Sequence, residues 1–421
     1  MELHAMLERG TNPNAGLWYV VSAIGDCPTM RVGHTCTHIP DVDGATNGKV
    51  YVIGGANPDG PFNDVRILDL ETLSWDICDA QGFTARYEHC AFTPDCDPRK
   101  IYVFGGAQQT GNVTNMQVYD TEERKWETVK LKGTWPSPRT FHTVAANGNK
   151  LYVYSGGENG AEPVKDRKVY RFDAETRVWD VLSVRGDSPK PRHGHAMAVV
   201  RDKLIVHGGM SGPTFYDDLH FLDLEKLTWN SVKQKRNYPS ARAAHSAIVM
   251  DTRLYICGGM GLSGALDDTY CLDTETMKWR KVEQHGPPPE CRLDFASCVV
   301  KLTVPINNDD SSNVTDDVLT TRKVADVLEN EMNSLDINNV TNLNESNDIE
   351  RAKNDNVLAV SATSAESSDR LSISSTEGST SHSLGVKTET TETKTIHMLL
   401  IHGGMDTHGT IFYDTLATLI E

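Results

Sequence analysis

Four kinds of residue recur along this 421-residue chain in patterns that could carry chemistry. Histidines return at a fixed distance behind an arginine: Arg31 with His34, Arg86 with His89, Arg139 with His142, Arg192 with His195, and Arg242 with His245. A sixth copy keeps Arg292 but has Phe295 in the histidine place. A ring of imidazoles would suit a metal, but metal sites are asymmetric clusters of three or four ligands. A residue that returns once per unit does the same structural job in each. Paired acids, Asp217-Asp218 and Asp267-Asp268, would suit general acid and base work, yet a polar pair at one place in several units reads as loop bracing. Glycine pairs at 54-55, 105-106, 156-157, 208-209, 258-259 and 403-404 would suit phosphate cradles. No helix follows them and no Gly-Lys-Ser/Thr is present. With no Gly-x-Ser-x-Gly elbow and no Cys/His nucleophile context, neither an enzyme nor a metal or cofactor is expected.

The remaining chemistry is binding. Arg31, Arg86, Arg139, Arg192, Arg242 and Arg292, with Tyr87, Phe141, His193, Phe215 and Tyr216 nearby, would form a basic, aromatic mouth. Arginine and aromatic side chains are frequent anchors of protein interfaces. The competing reading is that the arginines pair with acids of neighbouring loops and only hold the units together.

The elements that must position these residues follow from the repeat. Each copy reads as an apolar run after the Arg-x-x-His pattern, a second run into the glycine pair, such as Ile101–Phe104, and a loop carrying Asn or Asp. A third run then ends in an acid two residues before a glutamate and six before a tryptophan: Asp69, Glu71 and Trp75 set the pattern. It returns at Asp120 and Trp126, Asp173 and Trp179, Asp223 and Trp229, and Asp273 and Trp279. Short apolar runs bounded by turn residues are buried strands. The acid suits a tight turn whose side chain bonds the local backbone. The tryptophan opens a fourth strand and buries its ring between neighbouring sheets. His207 and His402 end second strands where other copies have Ile53, Phe104, Ser155 and Cys257, so that slot reads as variable. Four strands in about fifty residues, with no helix, describe a blade of a β-propeller.

These motifs resemble the kelch-repeat family, which is matched by the glycine pair, the Tyr or Asp that follows and the tryptophan about twenty residues on. The propeller family with Trp-Asp repeats fits less well, because its period is shorter and it leaves the glycine pairs unexplained. The last copy, from Ile396, has Gly403-Gly404, Phe412-Tyr413-Asp414 and a third strand over 416–420 but no tryptophan. Trp18 lies thirteen residues before Arg31, as Trp126 does before Arg139 and Trp229 before Arg242. The expected fold is therefore all-β, a six-bladed kelch-type propeller over 17–301 and 396–421. An N-terminal strand closes its last blade, which removes the open edges of a linear array. Residues 1–16 are expected to be a flexible lead-in. Segment 302–395 lacks Phe, Tyr and Trp, is rich in Ser, Thr and Asn, and holds 17 acidic against 7 basic side chains. It is expected to be a disordered acidic insertion, with a short or transient helix possible near 318–332, where Val318, Leu319, Ala325, Leu328 and Met332 fall at helical spacing.

A net charge of -17 argues against nucleic acid or an anionic membrane surface as a direct partner. No run is long and apolar enough for a membrane span, and the opening MELHAMLERG has no secretory pattern. Nine cysteines without paired spacing read as free thiols of a cytosolic or nuclear chain, and the sequons at Asn112, Asn313, Asn339 and Asn344 as chance matches.

Among stand-alone kelch proteins, the runs Gly33–Cys36, Gly54–Pro58, Arg86–His89, Pro138–Thr143 and Phe215–His220 resemble the kelch-motif effectors of late-endosomal Rab GTPases, although Phe295 departs from the expected histidine. The resemblance implies a non-enzymatic, monomeric, cytoplasmic protein, peripheral on endosomal membranes. It would bind a GTP-bound Rab GTPase, with other trafficking proteins as possible partners, and assist vesicle transport from endosomes to the trans-Golgi network. The kelch family's copper oxidase and sialic acid epimerase imply enzymes too, but the copper ligands are not found here. The alternative is a kelch substrate receptor of a cullin ubiquitin ligase.

Overall fold

The computed structural model describes residues 4–41, 46–78, 81–141, 143, 145–159, 162–233, 236–306 and 392–420. In five of the six repeats the second strand is a five-residue run, as in Lys100–Phe104 and Lys203–His207, buried along its whole length after a basic first residue. Burial on both faces requires a sheet on either side, so these runs can be stable only in a stack.

Six sheets result. Blade 1 is Thr35–Ile39, Lys49–Ile53, Val65–Asp69 and Ser74–Cys78. Blade 2 is Cys90–Phe92, Lys100–Phe104, Met116–Asp120 and Lys125–Val129. Blade 3 is Ala145–Asn147, Lys150–Tyr154, Val169–Asp173 and Val178–Leu182. Blade 4 is Ala196–Val200, Lys203–His207, Leu219–Asp223 and Thr228–Val232. Blade 5 is Ser246–Met250, Arg253–Cys257, Thr269–Asp273 and Lys278–Lys281. Blade 6 is Ala296–Pro305, Thr393–His402, Thr415–Leu419 and Trp18–Val21. Neighbouring strands within each blade run antiparallel in that order. First strands lie innermost, around a small polar cavity of about 120 Å³ lined by Thr35, Ala91, Thr143, Ser246 and Ser297.

Closure is as expected: Trp18 pairs with Thr418, Tyr19 with Ala417 and Val20 with Leu416. The lead-in is a correction. Ala5–Leu7 forms a parallel strand on Trp18–Val21 with Leu7 buried, because the outer edge of that strand offers unpaired backbone groups and a place for one apolar side chain. The insertion boundary also moves. The ladder of blade 6 continues past Lys301 and Ile396, with Val304 opposite Lys394 and Pro305 opposite Thr393. Leu302 and Val304 alternate inward there and bury beside Leu70 and Leu73 of blade 1. Residues 307–391, with the helix expected near 318–332, lie outside the described residues.

The turn between third and fourth strands works as its sequence predicts. In all five copies the aspartate Oδ1 accepts from the backbone N–H groups two and three residues on, as Asp69 does from Glu71 and Thr72, both at 3.0 Å. Each tryptophan then packs on the last residue of the second strand of the preceding blade: Trp179 on Phe104, Trp229 on Tyr154, and Trp279 on His207. Trp75 packs on His402 at 5.7 Å between ring centres, which carries the pattern across the closing seam. The equivalent in blade 3 is Tyr154, opposite Val169 as His207 is opposite Leu219, so the slot given above to Ser155 belongs to Tyr154. All nine cysteines are free thiols.

Candidate functional site: the hairpin face

Alternating strand direction brings the Arg-x-x-His loops and the loops after the glycine pairs to one face. The second set form small hairpins, such as Met210–Ser211 with Thr214–Phe215 and Met260–Gly261 with Gly264–Ala265. Each hairpin is tied by a bridge to the residue after its blade's arginine: Val32 to Ala56, Tyr87 to Ala107, Thr140 to Gly157, His193 to Met210, Ala243 to Met260, and Leu293 to Met405.

The six arginines do not form a basic mouth, which corrects the first of the two readings above. All are buried, at 0–2% exposure. Each Nη1 donates to the carbonyl of the first residue after its blade's second strand: Gly54, Gly105, Ser155, Gly208, Gly258 and Gly403. Asp64, Asp166, Asp218, Asp268 and Asp414 pair with Arg31, Arg139, Arg192, Arg242 and Arg292 at 2.5–2.9 Å. An aromatic ring covers each guanidinium, Phe62 over Arg31 and Tyr216 over Arg192 among them. A cation so enclosed offers no exposed surface to a partner, and removing one member of such an ion pair costs about 3–5 kcal/mol. Burial works against ionisation of Asp218, but hydrogen bonds from Arg192 and His220 hold its carboxyl well below the usual range.

Blade 2 differs. Asn115 stands before its third strand, where Asp64, Asp218, Asp268 and Asp414 stand in others, and the amide of Gln117 meets Arg86 at 2.8 Å instead. Without a carboxylate, burial brings the Arg86 guanidinium down to about 10.

The glycine pairs are seams. The N–H of the second residue donates across to the arginine carbonyl of the next blade: Gly55 to Arg86, Gly106 to Arg139, Gly156 to Arg192, Gly209 to Arg242, Gly259 to Arg292, and Gly404 to Arg31, at 2.8–3.1 Å. A Cβ on Gly54 would meet the Arg86 carbonyl at 2.7 Å and the His89 ring at 3.0 Å; one on Gly258 would meet the Phe295 ring at 3.0 Å. The ring at the fourth place of the Arg-x-x-His pattern is therefore a packing group, and Phe295 serves as well as histidine. His142 lies outside the described residues. In blade 3 the seam pair is Ser155-Gly156, one residue earlier than the glycines suggest. Ser155 accepts a left-handed φ of 57° and its Oγ bonds the backbone of Arg192.

At the axis, the third residues of the loops link head to tail. Glu88 N donates to Gly33 O at 2.6 Å, Phe141 to Glu88, Ala244 to Gly194, Asp294 to Ala244, and Gly33 to Asp294. Glu88, Ala244 and Asp294 hold left-handed backbone to do so. This collar surrounds a cavity of about 180 Å³ whose wall includes Phe141, His193, Met210, Met260 and Leu293.

Of the aromatic candidates, Phe141 and His193 line that mouth, Tyr216 is spent on Arg192, and Tyr87 and Phe215 are half-buried beside hairpins. Leu262 at a hairpin tip (87% exposed) and Tyr413 (66%) were missed by the sequence reading. Their signal was available: Tyr413 occupies the place of Asn63, Asp217 and Asp267 in other copies. Among the described residues, no group of three or more His, Cys, Asp or Glu could hold a metal ion, and no helix is long and apolar enough to cross a membrane.

Comparison with known proteins agrees with this geometry. The family model described as the KLHDC2/KLHL20/DRC7 Kelch-repeats domain matches residues 33–259 and 155–320. The mouse and human proteins named Rab9 effector protein with kelch motifs are each 48% identical over 215 residues, 51% of this chain and 57% and 58% of theirs. The zebrafish protein of that name is 41% identical over 234 residues, 53% of this chain and 67% of its own. The match thus spans little more than half the length of the mammalian relatives. With the repeat motifs, the six blades and the family match in agreement, this chain belongs to the kelch-repeat family.

Proposed function

We propose that the chain is a non-enzymatic docking protein whose hairpin face binds a GTP-bound Rab GTPase and so assists vesicle transport from endosomes to the trans-Golgi network. In this reading it acts as a cytoplasmic monomer, peripheral on endosomal membranes. The observation that carries it is the 48% identity to proteins named Rab9 effectors with kelch motifs. The structure adds a rigid collar with exposed apolar groups above it, since Met30, Leu262 and Tyr413 stand on this face at 46%, 87% and 66% exposure. Large apolar side chains held by a fixed scaffold are suitable anchors for a protein partner. Phe141 and His193 remain contact candidates at the mouth, with Tyr87 and Phe215 beside them; the arginines hold the loops that present them. The insertion is a separate unit in this reading. Ile306 N bonds Glu392 O at 2.8 Å, which extends the blade 6 ladder by one more main-chain bond.

The test is recovery of purified Rab9, loaded with a GTP analogue or with GDP, on the immobilised chain. Preferential recovery of the GTP form, reduced at least tenfold by Leu262→Asp with Tyr413→Asp, is expected. Equal recovery of both forms, or recovery of cullin adaptors and no Rab, would overturn the reading.

A further inference from the structure

We propose that the outer side of blade 3 is a membrane-contact surface, which holds the chain against a bilayer rich in anionic phospholipid headgroups. The net charge of -17 argues against such a contact only if it is evenly spread, and it is not. Residues 130–192, which comprise blade 3 and the segments leading into and out of it, hold 12 Lys and Arg against 7 Asp and Glu. Residues 1–129 hold 9 against 18, residues 193–301 hold 13 against 13, and residues 302–421 hold 7 against 20. Only the first of these stretches is basic. Charges are screened over about 8 Å at physiological salt, so a bilayer meets the charge of the nearest blade and not the sum over the chain.

The local structure turns that excess outward. Between the hairpin and the third strand of blade 3 runs Val164-Lys165-Asp166-Arg167-Lys168. Val164 is buried with its N–H bonded to Gly156 O at 2.9 Å, and Asp166 turns in to Arg139 at 2.9 Å. With those two as anchors, Lys165, Arg167 and Lys168 stand exposed. Lys168 directly precedes Val169, which pairs with Leu182 at the end of the fourth strand. At the start of that strand Lys132 pairs with Val178, and Lys130 stands two residues earlier. Exposed cations thus bracket the outermost long strand, about 13 Å apart along it. The same edge carries two exposed apolar side chains, Val178 at 37% and Trp135 at 42%, the latter next to Thr134, whose N–H bonds Trp179 O.

None of these five cations forms an ion pair with a described residue, and residues 142, 144, 160 and 161, the undescribed ones of this stretch, are not acidic. Asp173 and Asp180 are held by Lys150 and Arg171. The exposed acids Glu162 and Glu175 offset only two of the five charges. An acidic peptide would need a strand edge or groove to fix its main chain. Here Lys132 and Gly133 already occupy the edge at Val178 and Trp179, and a two-residue strand is a poor template for another. A bilayer needs no template: each Lys or Arg near an anionic surface adds its own attraction, and tryptophan favours the headgroup level. The contact does not rest on the Rab reading.

The test is flotation of the full chain with vesicles that hold no Rab, made of phosphatidylcholine alone or of equal parts phosphatidylcholine and phosphatidylserine. The anionic vesicles are expected to recover at least tenfold more chain than the neutral ones, and less as salt is added. Lys165→Glu with Arg167→Glu and Lys168→Glu should lower that recovery at least tenfold. The milder Lys165→Gln with Arg167→Gln and Lys168→Gln should lower it at least threefold, with the thermal melt unchanged. Lys233→Glu with Lys278→Glu and Lys281→Glu alters the net charge equally on blades 4 and 5 and should leave recovery within twofold. No preference for anionic vesicles, equal losses in the two reversed variants, or capture of a poly-glutamate peptide without vesicle binding would each overturn the proposal.

Discussion

The N–H of Gly404 donates to the carbonyl of Arg31 at 3.1 Å, which joins the last blade of the ring to the first. The same bond recurs at the other five seams, but here the two residues come from opposite ends of the chain. Ring closure therefore uses the general blade-to-blade contact, reinforced by the Trp75–His402 packing and by the Trp18–Val21 strand.

Gly404→Ala should accordingly be among the costliest small substitutions in the molecule. Its φ is 90°, and an added Cβ would meet Phe295 Cβ at 2.7 Å and the Leu293 carbonyl at 2.8 Å. Left-handed strain plus backbone displacement should cost roughly 2–4 kcal/mol. Gly212→Ala is the control, with a left-handed φ of 53° but nothing within 4 Å of its Cβ, and should cost about 1 kcal/mol. Urea unfolding of both variants decides; equal losses would mean that the seam contact carries no special weight.

Asn115→Asp should stabilise the chain. It would give the guanidinium of Arg86 the carboxylate that its five counterparts have, and Asn115 Oδ1 is buried with no hydrogen-bond partner among the described residues. A hydrogen bond to a charged group contributes about 1.5–3 kcal/mol, so a rise in urea midpoint at pH 7 is expected. The new carboxyl would have a folded-state pKa below its unfolded value of about 3.9. Its contribution is then present above that pH and lost as pH falls through the folded value. An unchanged or lower midpoint at pH 7 would show that Gln117 already satisfies Arg86.

The repeat made most of the fold legible: strand number, the capped turn, the buried tryptophans and the closing strand each had a residue signature. The lead-in did not, because three residues such as Ala5–Leu7 carry no periodicity and pair only where an edge happens to be open. The third seam was misplaced because glycine marks a left-handed position so strongly that Ser155, which holds the same φ, was passed over in favour of Gly157. At the candidate site the sequence picked out the recurring arginines but not that each is buried. An arginine four residues before a strand, as Arg31 is before Thr35, looks the same in sequence whether it faces solvent or a buried aspartate. Only the spatial meeting of Arg31 with Asp64, 33 positions on, separates the two cases.

The buried histidines set a pH limit on the ring. Burial pushes His89, His207 and His402 down to about 3, against about 6.5 in the unfolded chain. The folded state therefore stays unprotonated at these sites while the unfolded chain takes up protons. Stability is full above about pH 6.5 and falls as pH drops below it, by about 1.4 kcal/mol per pH unit for each histidine once the unfolded form is protonated. Three such groups give an expected loss of about 4 kcal/mol per unit near pH 5, read from urea midpoints between pH 7 and 5. His89→Phe copies the ring that Phe295 places against Gly258 in the sixth Arg-x-x-His copy, so it should keep the packing and remove one proton from the slope. A His89→Phe chain with an unaltered slope would show that this imidazole is not what makes the propeller acid-sensitive.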